Sequence, residues 1–491
     1  MSRPLPETIR TDAFIDGEFV PAEGGATFST VDPATGQPLA KVASCSAADA
    51  DKAVGSARAA FERGEWRRMH PAERKAVLLR LVALMEEQRD ELALVESLDS
   101  GKPIKDCRDF DLPDAINSIR WHAEAADKVF GKTSPSGEGA LGLIVKEPLG
   151  VVAAVLPWNF PLAMLAWKLG PALAAGNSVV VKPPALTSLT TLRLAALATE
   201  AGLPRGVLNV VPGSGRVVGE ALGTHRDVDV ITFTGSNDVG RLLLRYSADS
   251  NMKRVELEMG GKSPQIVTAD NADRIPTVAA DLANAAFFNA GQNCTAGCRI
   301  LVDSSIHDAF VEALVEETAK LTVGPPQDPQ TDMGPLVEPA AVDRVESYVE
   351  GALADGATVR CGGERLLPDS GGNFYAPTVI ADVRPDMAVA QEEIFGPVVA
   401  VIRFDTVDEA IEIANGTCFG LAANVWCRDI DTALRLAREV RAGTVSVNGY
   451  CEGDITTPFG GYRESGFGGR DNGVEAFDQY TETKTIYINL H

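Results

Sequence analysis

The sequence predicts an α/β fold built on parallel sheets, and three observations carry that expectation. Short β-rich apolar runs at residues 150–156, 177–181, 206–211 and 230–233 alternate with helix-length stretches, the spacing of strand–helix–strand units. The same alternation starts again beyond Lys262 and continues to about residue 450, which marks a second unit. At 491 residues the chain is also too long for one hydrophobic core.

In chain order, punctuation by Gly and Pro among short apolar runs predicts a hairpin over 15–28. Ser46-Ala-Ala-Asp49 reads as a capping box opening an alanine-rich helix to Phe61. Pro71 opens a second helix expected to run through Val95 or beyond, until Ser100-Gly-Lys-Pro103 stops it. A third helix, 111–130, carries Asp114, Trp121, His122 and Glu124. Residues 141–146 form a strand outside the alternation. The run 150–156 ends in Pro157-Trp-Asn-Phe-Pro161, and a helix follows to Ala175. Strand 177–181 leads into Lys182-Pro-Pro-Ala185, and helix 189–201 precedes strand 206–211.

Two glycine clusters sit where strands meet helices. One holds Gly213, Gly215 and Gly219, and the other holds Gly235, Ser236 and Gly240. Such turns let a phosphate approach backbone N–H groups at a helix N-terminus, so together they point to nucleotide binding. The second unit begins with a helix over 274–290, a cysteine-bearing segment, a strand at 299–302 and a helix over 306–321. Alternation resumes over 375–404, a helix starts at Thr406, and strand 443–448 precedes a Gly-rich loop over 449–469. Residues 483–490 alternate with period two and read as an edge strand, a liability that pairing across a subunit boundary would remove.

Composition excludes several classes of function. A net charge of -23 repels polyanions, so no nucleic-acid partner is expected. No segment approaches the ~20 apolar residues that span a bilayer. Residues 1–14 lack a signal-peptide pattern. Eight cysteines without CxxC spacing fit reduced thiols, a cytoplasmic location and no metal site.

The chemistry centres on Phe287-Phe-Asn-Ala-Gly-Gln-Asn-Cys294-Thr-Ala-Gly-Cys-Arg299, where small and polar neighbours leave the Cys294 sulfur room to react. A cysteine nucleophile acting on a carbonyl needs an oxyanion donor and often a base. None of the five histidines lies in a motif-like setting, so carboxylates in glycine-rich surroundings are the better candidates: Glu258 before Met-Gly-Gly-Lys262, and Glu393 within Glu392-Glu-Ile-Phe-Gly-Pro397.

Taken together, Pro157-Trp-Asn-Phe-Pro161, Phe233-Thr-Gly-Ser236 with Gly240, Glu258-Met-Gly-Gly-Lys262, Gly291-Gln-Asn-Cys294, Glu393-Ile-Phe-Gly-Pro397 and Pro458-Phe-Gly-Gly461 with Ser465-Gly466 resemble the NAD(P)-dependent aldehyde dehydrogenases over essentially the whole chain. The resemblance implies a Rossmann-like cofactor domain over 1–128 and 149–260 and a second α/β catalytic domain over 261–460. It also implies a small β oligomerisation extension from 129–148 and 473–491, in a homodimer or homotetramer. Cys294 would attack the aldehyde to give a thiohemiacetal, with the Asn159 amide and the Cys294 backbone N–H holding the oxyanion. Hydride transfer to the nicotinamide would leave a thioester, and Glu258 would activate the water that hydrolyses it. Glu393 would hold the nicotinamide ribose with Phe395 beside it. Gly235, Ser236 and Gly240 would face or support the pyrophosphate turn, and Trp158 and Lys182 the adenosine half.

Departures from the family pattern matter. Ala185 stands where relatives usually carry the Glu that binds the adenosine ribose, so NAD is expected with NADP use open. Arg463 replaces a commoner lysine at an expected structural ion pair, and Met259 replaces a frequent leucine. Phe160, Trp167, Phe288 and Phe459 correspond to tunnel walls, while Asp114 and Glu452, with Asp454 nearby, fall where aliphatic-specific relatives are apolar. The loop 450–455 and the segment 477–486 look most like the branch acting on γ-glutamyl-γ-aminobutyraldehyde and other ω-amino aldehydes. Uncharged aliphatic or aromatic aldehydes remain the alternative. Glu258 argues against a CoA-acylating relative, and the retained Cys294, Asn159 and Glu258 argue against a catalytically silent scaffold. Cys298 and Cys451 are candidates for a reversible disulfide near Cys294.

Overall fold

The computed structural model describes residues 4–450 and 453–490. Two large sheets dominate. In the eight-stranded sheet the strands run in the order Gly466–Phe467, Arg254–Glu258, Val230–Thr234, Val151–Val155, Ser178–Lys182, Leu208–Val210, Ala13–Ile15 and Glu18–Val20. Pairing is parallel from Arg254–Glu258 through Leu208–Val210 and antiparallel at both margins. Val151–Val155, Ser178–Lys182 and Val230–Thr234 are buried along their whole length, as strands covered on both faces must be.

The seven-stranded sheet runs Thr358–Cys361, Thr378–Ala381, Val398–Phe404, Arg299–Asp303, Pro264–Val267, Ala422–Trp426 and Thr444–Val447. It is parallel throughout except at Thr358–Cys361. In open parallel sheets ligands bind beyond the carboxyl ends of the strands. Here the strands Val151–Val155, Val230–Thr234 and Arg254–Glu258 finish at Leu156 to Phe160, at Gly235 and Ser236, and at Glu258 to Gly260, all of which line one cavity.

Local sequence explains the element boundaries. The first hairpin, Ala13–Ile15 with Glu18–Val20, turns through Asp16 (φ 52°) and Gly17 (φ 79°), the left-handed pair of a tight hairpin turn. It is shorter than the expected 15–28, because Thr27–Val31 belongs to a second ribbon with Pro38–Ala43. The Ser46 and Asp49 capping box forms as expected and opens Ala47–Arg63. The long second helix does not run unbroken. Gln88 (φ -106°, ψ 22°) divides it into Pro71–Glu87 and Arg89–Ser100, its side-chain oxygen bonded by Arg193. Gly101 (φ 79°) then ends it. The third helix is also shorter than expected: Leu112–Ala125, entered through a wide turn over Cys107–Asp111.

The terminal strand Thr481–Asn489 pairs antiparallel with Ala140–Pro148, which in turn pairs with Lys132–Ser134. This separate three-stranded sheet leaves Thr481–Asn489 at an edge, with Tyr487 61% and Ile486 40% exposed. Among the described residues no helix is long and apolar enough to cross a membrane, and no group of His, Cys, Asp or Glu is arranged to hold a metal ion.

Candidate active site

A cavity of about 820 Å³ runs from the carboxyl ends of the first sheet to the surface beside Phe110 and Asp454. Cys294, Asn159, Glu258, Trp158, Gly235, Ser236, Glu393, Phe395, Asp114, Phe160, Trp167, Phe288 and Phe459 all line it. Residues from positions 110 to 472 converge there because both sheets point their strand ends at the same space.

Helix Ile275–Phe287 stops three residues before the expected 290, because the chain bends sharply. Asn289 (φ 51°), Ala290 (φ 55°) and Gly291 (φ 68°) are left-handed in succession. Such strain persists only where neighbours over-determine it. Asn289 Nδ2 donates to the Asn159 carbonyl at 3.0 Å and to the Gln292 carbonyl at 3.1 Å, and the Val337 N–H donates to Gln292 Oε1 at 2.9 Å. A side chain on Gly291 would collide with the Gly396 carbonyl, and one on Gly261 with the Cys294 carbonyl. The result is a half-buried Cys294 at the cavity wall. The Asn159 Nδ2 donates to the Gln292 carbonyl at 3.0 Å, and its two N–H groups leave a second donor on the same nitrogen.

Glu258 ends the strand Arg254–Glu258 and is only 7% exposed. Burial pushes its carboxyl well above the usual range, and the nearby Asp471 charge adds to that. Among the described residues its Oε2 has no hydrogen-bond partner, and it lines the cavity, where a small molecule can reach it. Asp471 is held by the buried Lys168 ammonium at 3.0 Å.

Glu393 accepts from the Gly261 N–H at 2.9 Å, and burial raises its carboxyl to about 7. A side chain on Gly260 would collide with it, so glycine is needed for the carboxylate to lie against this backbone. Trp158 meets the Phe395 ring edge-on at 5.3 Å, and Phe395 itself sits at φ 56°. Ser236 precedes the helix Asn237–Ala248, so the N–H groups of that helix's first turn open toward Gly235 and Ser236.

Other residues singled out from the sequence lie elsewhere. Gly240 is buried against the sheet, where a side chain would collide with Met259, so it permits close helix–strand packing. Lys182 is 5% exposed, donates to the Pro183 carbonyl at 2.9 Å and does not line the cavity. Burial lowers its ammonium to about 8. The cluster of Gly213, Gly215 and Gly219 also lies off the cavity; a wide turn over Gly215–Gly219 capped by Ser214 is what forms there. Among the described residues Arg463 makes no ion pair, and its guanidinium caps the carbonyls of Asn415 and Thr417. Cys298 is buried and outside the cavity lining, while Cys451 and Glu452 lie outside the described residues.

At the far end, Trp167 Nε1 donates to Asp114 Oδ2 at 2.8 Å, and Trp167 meets Phe459 edge-on at 5.2 Å. Phe160 stacks near Phe288 at 6.1 Å, with the Lys102 ammonium 3.7 Å from the centre of its ring. Among the cavity residues that sequence reasoning missed are Phe110, Met164 and Tyr450. Phe110 (58% exposed) meets Phe288 at 5.1 Å, Met164 packs like Cys294 against the cluster of Trp167, Leu421 and Phe459, and the Tyr450 hydroxyl accepts from Asn293, the residue before the nucleophile. Their only signal was helical spacing ahead of Asp114 and Trp167, and a tyrosine opening a glycine-rich loop.

The Aldehyde dehydrogenase family model matches residues 19–486. The chain belongs to the aldehyde dehydrogenase family. It is 54% identical over 477 residues to the aminoacetaldehyde dehydrogenase of Pseudomonas aeruginosa, covering 97% of this chain and 95% of that one. The solved structure of γ-glutamyl-γ-aminobutyraldehyde dehydrogenase from Burkholderia cenocepacia superposes with a TM-score of 0.96 at 51% identity, covering 98% and 97% of the two chains. The P. syringae AldA indole-3-acetaldehyde dehydrogenase, solved in complex with NAD+ and IAA, superposes equally well at 49% identity with the same coverage. The chain is thus an aldehyde-oxidising enzyme with the aldehyde dehydrogenase fold.

Proposed function

We propose that this enzyme oxidises an ω-amino or γ-glutamylamino aldehyde to the carboxylic acid, with Cys294 as the acyl carrier. The observation that carries the reading is that one cavity joins Cys294, Asn159, Glu258 and Glu393 to a carboxylate, Asp114, set among aromatic walls. Cys294 adds to the aldehyde carbon, and the developing oxyanion takes the remaining Asn159 N–H and the Cys294 backbone N–H. NAD+, or NADP+ given Ala185, supplies the hydride acceptor when bound. Glu393, the Trp158 and Phe395 rings and the helix N-terminus at Ser236 fit its ribose, ring and phosphates. Glu258, on losing its proton, draws one from the water that hydrolyses the Cys294 thioester. At the far end Asp114 offers a charge-assisted bond to an ammonium, and Phe110, Phe160, Phe288, Trp167 and Phe459 present ring faces that also attract cations. The aminoacetaldehyde-acting relative supports this choice.

Aromatic walls equally suit an uncharged aromatic aldehyde, as the indole-3-acetaldehyde enzyme illustrates. Comparing kcat/KM for 4-aminobutanal, its γ-glutamyl form, hexanal and indole-3-acetaldehyde, each with NAD+ and NADP+, separates the two. A clear win for hexanal or the indole aldehyde overturns the amino reading, and at least a hundredfold preference for NAD+ overturns NADP+ use. Cys294→Ala should abolish aldehyde-dependent cofactor reduction.

Residues 1–128 with 149–260 would form the cofactor unit and 261–460 the catalytic unit. The edge strands Thr481–Asn489 and Thr444–Val447 would pair with a second copy in a homodimer or homotetramer, which ultracentrifugation tests; a monomer at micromolar concentration would refute it.

A further inference from the structure

We infer that Tyr450 is a positioning residue for Cys294, acting through a closed ring of hydrogen bonds that joins the cavity-rim loop to both neighbours of the nucleophile. The inference rests on Cys294 being the nucleophile.

Residues 288–298 contain no strand and no regular α-helix, and the backbone enters that segment through three left-handed residues. A side chain carried on such a segment keeps one orientation only if other elements brace it. On the upstream side the Asn159, Asn289 and Gln292 network does this. Around Cys294 itself, the Asn293 Nδ2 donates to the Tyr450 hydroxyl oxygen at 2.9 Å. Thr295 Oγ1 donates to Asn293 Oδ1 at 3.1 Å, an acceptor it shares with the Thr295 backbone N–H at 3.2 Å. The Tyr450 and Thr295 hydroxyl oxygens lie 3.0 Å apart, a hydrogen bond in which either hydroxyl can donate. Among the described residues the Asn293 amide, the Thr295 hydroxyl and the Tyr450 hydroxyl thus close a circle of hydrogen bonds. Bonds arranged this way polarise one another.

Asn293 is 7% exposed and Thr295 is fully buried, so neither can replace a lost partner readily with water. Tyr450 lines the same cavity and begins the rim that continues through Gly453, Asp454 and Ile455. Its hydroxyl thus couples the position of the rim to that of Cys294. Tyr450 reaches the reaction through Asn293 and Thr295.

The test compares Tyr450→Phe, Thr295→Val and their double variant by steady-state kinetics and by the rate at which iodoacetamide alkylates Cys294. Each single change should lower kcat and the alkylation rate about tenfold, the scale expected when a reacting group is misplaced by less than an ångström. KM for the aldehyde should stay within about twofold, since Phe keeps the wall that the ring provides. The double variant should be no slower than the worse single, because either change opens the same ring. Wild-type kcat and alkylation in Tyr450→Phe, or losses that multiply in the double variant, would overturn the inference. If Tyr450→Phe does not fold, Thr295→Val alone carries the same expectation and the same refutation. Cys294→Ala run alongside separates the two readings. An active Cys294→Ala enzyme sinks the nucleophile assignment, whereas an inactive one beside a fully active Tyr450→Phe sinks the positioning role alone.

Discussion

Replacing Glu258 with Gln separates the two halves of the proposed reaction. The carboxyl is 7% exposed, its Oε2 has no partner among the described residues, and burial favours its neutral form. Gln matches that neutral shape and volume, so the fold should tolerate it and the thermal midpoint should change little. What disappears is the ability to take a proton from water. General-base catalysis contributes about 10²- to 10⁴-fold, or roughly 3–5 kcal/mol at ~1.36 kcal/mol per decade. Addition of Cys294 to the aldehyde does not call on Glu258, so a rapid-mixing experiment should still show a burst of about one reduced cofactor per active site. The steady-state rate after the burst should fall by the full factor. A variant that loses burst and steady state together would place Glu258 in the first half-reaction. A variant with unchanged steady-state rate would remove it from the mechanism.

Three further outcomes follow from the same geometry. The protonated form of Glu258 is favoured at rest, so turnover should rise with pH until it ionises; Asp471→Asn removes the neighbouring like charge and should move that acid-side limb to lower pH, a limb that stays put counting against the coupling. Gly291→Ala adds a Cβ both at φ 68° and against the Gly396 carbonyl; left-handed strain alone costs about 1–2 kcal/mol, so the thermal midpoint and the alkylation rate of Cys294 should fall together. Burial raises Glu96, Asp99, Glu256 and Glu393 to about 7 and Asp106 to about 6, so the folded chain holds protons that the unfolded chain releases from about pH 4 upward. Their stabilising contribution is complete below the unfolded values and is lost as pH rises through 6–7. His122, lowered to about 4, works the other way between pH 4 and 6.5 but is a single group. Urea midpoints should therefore decline from pH 5.5 to pH 7.5; a rise over that range would refute the balance.

Local chemistry determined much of this protein. Period and punctuation are properties of neighbouring residues, so the parallel-strand runs, the Ser46 capping box, the stop at Gly101 and the separate status of Ala140–Pro148 are legible in the sequence alone. Cys294, Glu258 and Glu393 stand out as candidates by their small or glycine-rich neighbours, and Asn159 only through the family resemblance of its motif. Tertiary packing decided the rest. Gln88 breaks a helix whose pattern runs on, and Arg193, far away in sequence, bonds to the side chain at the break. Gly240 matched a phosphate-turn pattern yet serves to seat a helix against Met259, and Gly213 to Gly219 form a turn away from the cavity. The raised carboxyls depend on burial, which no linear spacing reports. The ring of Asn293, Thr295 and Tyr450 joins residues about 155 positions apart, and only the convergence of two sheets on one space brings them together.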